Sequence, residues 1–204
     1  MKQRLQDALG QLVRLYPQSK LPPVTIAVGR GKPVAIGSPV NGVQIGLEAL
    51  CAADRMNSDP EERFVHVTAH EYAHVQQIAA LVDDDTPTVI EGTLIEGIAE
   101  FIAELTTGEV GYRHLALWSK GHEYLVESQW INDLDSKDLS RWLYNGFGDE
   151  EWPGDLGYWV GYRVAKAYYR HGADKKRAIR DLLEMTDPHA ILAHSGWYPG
   201  IPLP

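Results

Sequence analysis

The chain is short of cysteine and of positive charge, and it has no long apolar run. A single cysteine, Cys51, excludes an internal disulfide and any cysteine-rich zinc site. Lys and Arg total 19 against 28 Asp and Glu, a net charge of -9. Nucleic-acid binding through counterion release needs a basic face, so this balance speaks against it and leaves neutral or cationic partners. No apolar stretch approaches the roughly 18 residues of a membrane-spanning helix. The start Met1-Lys2-Gln3-Arg4-Leu5 runs into mixed polar residues and not into an apolar signal core. No export signal is read in it, which leaves the compartment open, cytoplasmic by default unless the sequence is a trimmed mature form. What remains is 204 residues, 44% hydrophobic and 23% charged, the makeup of one globular domain over 1–204.

Leu5, Leu9, Leu12, Val13 and Tyr16 recur at helical spacing before Pro17, which predicts an amphipathic first helix. Residues 21–50 read as a small sheet. Val24–Val28, Pro33–Ile36 and Val43–Gly46 are its strands, with a turn at Gly29-Arg30-Gly31. The remainder, 59–198, reads as helical. Asp59-Pro60-Glu61-Glu62 supplies an N-cap, a proline at the first helical position and an acid at the third, predicting a helix that runs to about Leu81. Further helices are predicted at Val89–Leu105 (ended by Gly108), Tyr112–Trp130, Gly157–His171, Ala173–Met185 and His189–His194, with a long loop at Asn145–Gly154.

Inside the first long helix stands His70-Glu71-Tyr72-Ala73-His74. Residues four apart share a helix face, so both imidazoles can converge on one Zn2+. Glu71 lies about 100° further round, beside the metal, where a carboxylate can take a proton from water. His66 extends the stripe, but eight residues at about 1.5 Å separate it from His74 by about 12 Å, whereas two nitrogens on one zinc lie within about 4 Å. It is read as a core histidine. His114, His122, His171, His189 and His194 lack any pair spacing.

The next helix contains Glu96-Gly97-Ile98-Ala99-Glu100. Together with His70–His74 this resembles the gluzincin metallopeptidases. The chain is most similar to the small predicted Zn-dependent protease family, with its Gly-Tyr-x-x-Gly-Tyr-Arg segment present as Gly157–Arg163. The resemblance implies Glu96 as third metal ligand. It also implies an α+β zincin-like fold, in which a small mixed sheet packs on a mainly helical remainder and the His70–His74 helix floors a cleft. Glu100, one turn after Glu96, suits a carboxylate accepting the far N–H of a ligand histidine, although either glutamate could ligate. Gly92, Gly97, Ala99 and Ala103 would let this helix approach the metal-binding one closely. Glu91 and Glu104 are read as solvated. Tyr158 and Tyr162 lie one turn apart over Gly161, and either could donate to a developing oxyanion.

The function expected is zinc-dependent hydrolysis of peptide bonds in a peptide or protein substrate. Extended segments would be received at an edge strand near Val43–Ile45. The alternative is a catalytically silent protein of the same fold that binds a protein partner. A carboxylate di-iron bundle would need a second Glu-x-x-His, which the sequence lacks.

Overall fold

A computed structural model describes residues 1–29 and 33–203. The expected turn at Gly29-Arg30-Gly31 falls largely on residues outside this set. The chain is α+β, a three-stranded sheet followed by a mainly helical remainder. Its described residues form two compact units. The first comprises Met1–Asp83 and Ala99–Arg113, the second Asp84–Ile98 and His114–Pro204. No helix among the described residues is long and apolar enough to cross a membrane.

In the first unit, α1 (Lys2–Leu15) buries Ala8 and Leu12 and ends just before Pro17. Strands β1 (Val24–Ala27), β2 (Ala35–Ser38) and β3 (Gly42–Gly46) form a sheet in the order β1-β3-β2. β2 and β3 are antiparallel neighbours, joined by a turn in which Ser38 Oγ accepts from the N–H groups of Val40 and Asn41. The expected edge at Val43–Ile45 is corrected here. β3 is the central strand, pairing parallel with β1 on one side and antiparallel with β2 on the other, so its backbone has no open side. β1 and β2 are the edges.

After the short α2 (Leu47–Ala52), which the sequence reading did not separate, comes α3 (Pro60–Gln76). Asp59 caps it through Oδ1, accepting from Glu61 N at 2.8 Å and Glu62 N at 3.1 Å. Contacts with α1, α2, β2 and β3 bury α3 on nearly every face. This explains why it carries so little amphipathic signature. Tyr72 donates to the Pro22 carbonyl at 2.6 Å, and Gln76 exchanges hydrogen bonds with the Lys20 backbone, tying the helix to the chain that enters β1. The closest approach is at Gly37 of β2. A Cβ there would lie 2.2 Å from the carbonyl oxygen of Glu71, so only glycine lets the strand reach this turn of α3.

The helix does not run to Leu81. Gln77 turns extended (ψ 170°) and the chain starts afresh in α4 (Ala79–Val82). α5 (Val89–Thr107) follows as one continuous helix, closed by Gly108 at φ 82°, where the left-handed backbone suits glycine. Glu91 is not merely solvated: its Oε2 accepts from both the N–H and the hydroxyl of Thr88 at 2.7 Å, bracing the start of the helix.

The expected single helix at Tyr112–Trp130 is two, α6 (Arg113–Trp118) and α7 (Glu123–Asp133). Gly121, at φ 86°, supplies the break between them. The second unit continues with α8 (Leu156–His171), α9 (Lys175–Leu183) and α10 (Pro188–His194). Its core holds Trp130 and Trp142, both fully buried. Trp130 Nε1 donates to Thr93 Oγ1 at 3.1 Å and Trp142 Nε1 to Asp133 Oδ2 at 3.0 Å, so neither buried indole N–H is wasted. Arg163 pairs with buried Glu127 and also donates to the Ile201 carbonyl, which fastens the C-terminal segment.

Gly92 and Gly97 do not serve an approach to α3. A Cβ on Gly97 would lie 2.0 Å from the carbonyl carbon of Gly161, and one on Gly161 would lie 1.8 Å from the Thr93 carbonyl oxygen. α5 and α8 therefore cross backbone to backbone, while Gly92 makes room for Leu143.

Candidate metal centre

α3 places His70, Glu71 and His74 on consecutive turns, all buried. The imidazoles of His70 and His74 meet edge to face, with ring centroids 4.7 Å apart. Their Nε2 atoms approach to 3.0 Å. Glu96, on α5, is buried as well, and ligand atoms of His70, His74 and Glu96 all lie within 4.8 Å of one another. This is the only such group of three or more among the described residues.

The protonation of the two rings follows from what their other nitrogens face. His74 Nδ1 lies 2.7 Å from Gln77 Oε1. His70 Nδ1 lies 2.9 Å from Glu100 Oε1, an ion-pair distance outside the angular range of a well-formed hydrogen bond. Both oxygens can accept, which favours the tautomer with the hydrogen on Nδ1 in each neutral ring. Two Nε2 lone pairs then point at each other across 3.0 Å beside a carboxylate. Such an arrangement is repulsive by itself and becomes favourable around a cation. Two imidazoles and one carboxylate are also a donor set that Zn2+ takes in open, catalytic sites.

Glu100 is held from two sides. Besides His70 it faces His66, whose Nε2 is 3.1 Å from Glu100 Oε2. His66 is therefore a buried partner of this carboxylate. The pair fits only because residue 111 is glycine: a Cβ there would sit 2.2 Å from His66 Nε2 and 2.8 Å from Glu100 Oε2. Burial alone would push the Glu100 carboxyl up, but His66 and His70 outweigh it and hold it down at about 2, against an ordinary 4.5.

A carboxyl whose folded value is depressed adds stability above its unfolded value and loses it as the pH falls toward the folded one. In metal-free protein Glu100→Gln should therefore be less stable than wild type near pH 6 to 7. The gap should narrow from about pH 4.5 down to about pH 2. Urea unfolding followed by circular dichroism across that range measures it; a gap that does not change with pH would contradict the assignment.

Glu71 is buried, and its backbone carbonyl lies against Gly37. Tyr162 is buried, stacks on Trp159 at 5.0 Å and accepts a hydrogen bond from Lys166 Nζ at 2.7 Å. Tyr158 meets Tyr144 edge to face at 6.3 Å.

Three further residues at the site went unread in the sequence. Gln77 is one turn beyond His74 on the same face, a position that the i, i+3 spacing offers for inspection. Gly111 and Tyr144 come from loops and give no local signal. Tyr144 donates from its phenol to Glu96 Oε1 at 2.6 Å.

Residues 50–191 match the family model described as "Predicted Zn-dependent protease (DUF2268)". The chain belongs to this family. No curated protein and no solved structure gives a match. The matched span includes the metal-binding candidates on both α3 and α5, together with all of Gly157–Arg163. The two glycines of that segment face α5, Gly157 against Thr93 and Gly161 against Thr93 and Gly97. The motif therefore fixes the position of the helix that carries Glu96.

Proposed function

We propose that this family member is a zinc metallopeptidase of the gluzincin type, with His70, His74 and Glu96 as the metal ligands. The observation that supports this best is the convergence of the His70 and His74 Nε2 atoms, 3.0 Å apart, beside the buried Glu96 carboxylate. Zinc at this position would supply Lewis acidity, polarising a carbonyl and bringing a water toward pKa about 7.

The chain's own residues do the rest. Glu71 takes a proton from the attacking water and returns it to the leaving amine. Glu100 and Gln77 hold the two ligand rings in the tautomer that presents Nε2. Tyr158 or Tyr162 donates to the oxyanion as it develops. An extended substrate segment would add to the edge strand β2, which packs against α3 at Glu71 and is less buried at Ala35 and Ile36 than at Gly37 and Ser38.

The direct test is elemental analysis of protein purified after zinc supplementation. About one zinc per chain is expected for wild type, with loss in His70→Ala and Glu96→Ala. A wild type that holds no stoichiometric metal would overturn the reading.

A further inference from the structure

We propose that Tyr144 is a positioning residue for the metal ligand Glu96, held in place by a loop built for that purpose. The inference rests on the metal assignment above. The contact is a short hydrogen bond, 2.6 Å from a neutral phenol to a carboxylate oxygen, the charge-assisted kind that is strongest.

Burial does not explain the residue. Tyr144 is 67% exposed, yet its hydroxyl reaches a glutamate that is 8% exposed. Its backbone stands at φ 57°, in the left-handed region that bulky residues rarely adopt. Strain of this kind persists only where the surroundings impose it, and it collects at functional sites.

The surroundings do impose it. Residues 144–155 close on themselves between two left-handed non-glycine residues, Tyr144 and Asp155 (φ 63°). Asn145 Oδ1 accepts from Asp155 N at 2.7 Å, joining the two ends. Gly154 N donates to Phe147 O at 2.9 Å, next to a bridge between Gly148 and Pro153. Asp149 Oδ1 caps the tip, accepting from Glu151 N and Trp152 N. Trp152 then locks the loop to the chain that precedes it: its Nε1 donates to the Arg141 carbonyl at 3.0 Å, under the guanidinium of Arg141, 4.1 Å from its ring. A loop so heavily braced does not need a strained tyrosine for its own closure. What the strain delivers is a phenol at Glu96 Oε1.

A carboxylate fixed in this way meets a metal without first having to be ordered, and outer partners of ligands commonly change metal affinity by 10 to 100-fold. Tyr144→Phe should therefore weaken zinc binding about tenfold or more, read by chelator competition, and should alter the visible spectrum of the cobalt-substituted protein. Tyr144→Asn separates this role from a structural one. Asparagine tolerates the left-handed backbone, so the metal-free variant should melt no lower than wild type, while its zinc affinity falls as in Tyr144→Phe. Wild-type affinity and an unchanged cobalt spectrum in both variants would overturn the proposal while leaving the metal site standing. Loss of metal-free stability in both, in proportion to the loss of affinity, would make Tyr144 a structural residue and overturn it as well. A wild type that binds no zinc at all would take down both readings together.

Discussion

Glu71→Gln is expected to keep about one zinc per chain while hydrolysis of a labelled, unfolded polypeptide falls by about 10²–10⁴-fold. Glutamine matches glutamate in shape, so α3 keeps its packing and the Glu71 backbone stays where Gly37 meets it. The amide cannot accept a proton at neutral pH, and proton transfer is what the proposed role consists of. The proposed ligand atoms lie on other residues, so metal content should hardly change. Zinc analysis and turnover measured on one preparation give the two readouts together. Undiminished turnover would remove Glu71 from the reaction. A wild type that binds zinc and cleaves nothing would instead favour a silent protein that engages a partner.

Gly161→Ala should be the most damaging single methyl in the second unit. The added carbon would lie 1.8 Å from the Thr93 carbonyl oxygen, which belongs to helix backbone and cannot swing aside as a side-chain end would. α5 and α8 would have to separate at their crossing. A cost of about 3 kcal/mol or more follows, since overpacking of a tight contact runs at about 1–3 kcal/mol and rises when nothing can yield. For a chain of this length the melting temperature should drop by roughly 6–12 °C. Gly10→Ala on α1 is the control, because a Cβ there meets nothing nearer than 3.6 Å. It should leave melting unchanged or raise it slightly. Equal melting for the two variants would mean that the crossing is looser than the glycines imply.

The sequence made legible whatever depends on local chemistry. Asp59-Pro60 fixed the start of α3 to the residue, because a cap and a proline act within one turn. Four-residue spacing put His70 and His74 on one face for the same reason. Failures began where a distant segment decides. α3 ends short of Leu81 at an extended Gln77 whose Oε1 lies 2.7 Å from His74 Nδ1, a contact that helical periodicity does not encode. β3 is central although its sequence reads equally well as an edge, because strand order lies in pairing, and pairing leaves no mark on a run of four or five residues. Gly97 meets Gly161 of α8: a small residue announces that something comes close, but not what. Zinc geometry excludes His66 as a ligand together with His74 but says nothing about the carboxylate that it shares with His70.

Glu96 and Glu100 ride on one unbroken helix, whose residues up to Ile98 belong to one unit and from Ala99 to the other. Adding or removing a single residue between the two acids would turn one of them by about 100° relative to the other. Phasing along α5 is thus as much a property of the proposed site as the identity of its side chains, and a one-residue insertion there would part the two acids as surely as a substitution would remove one.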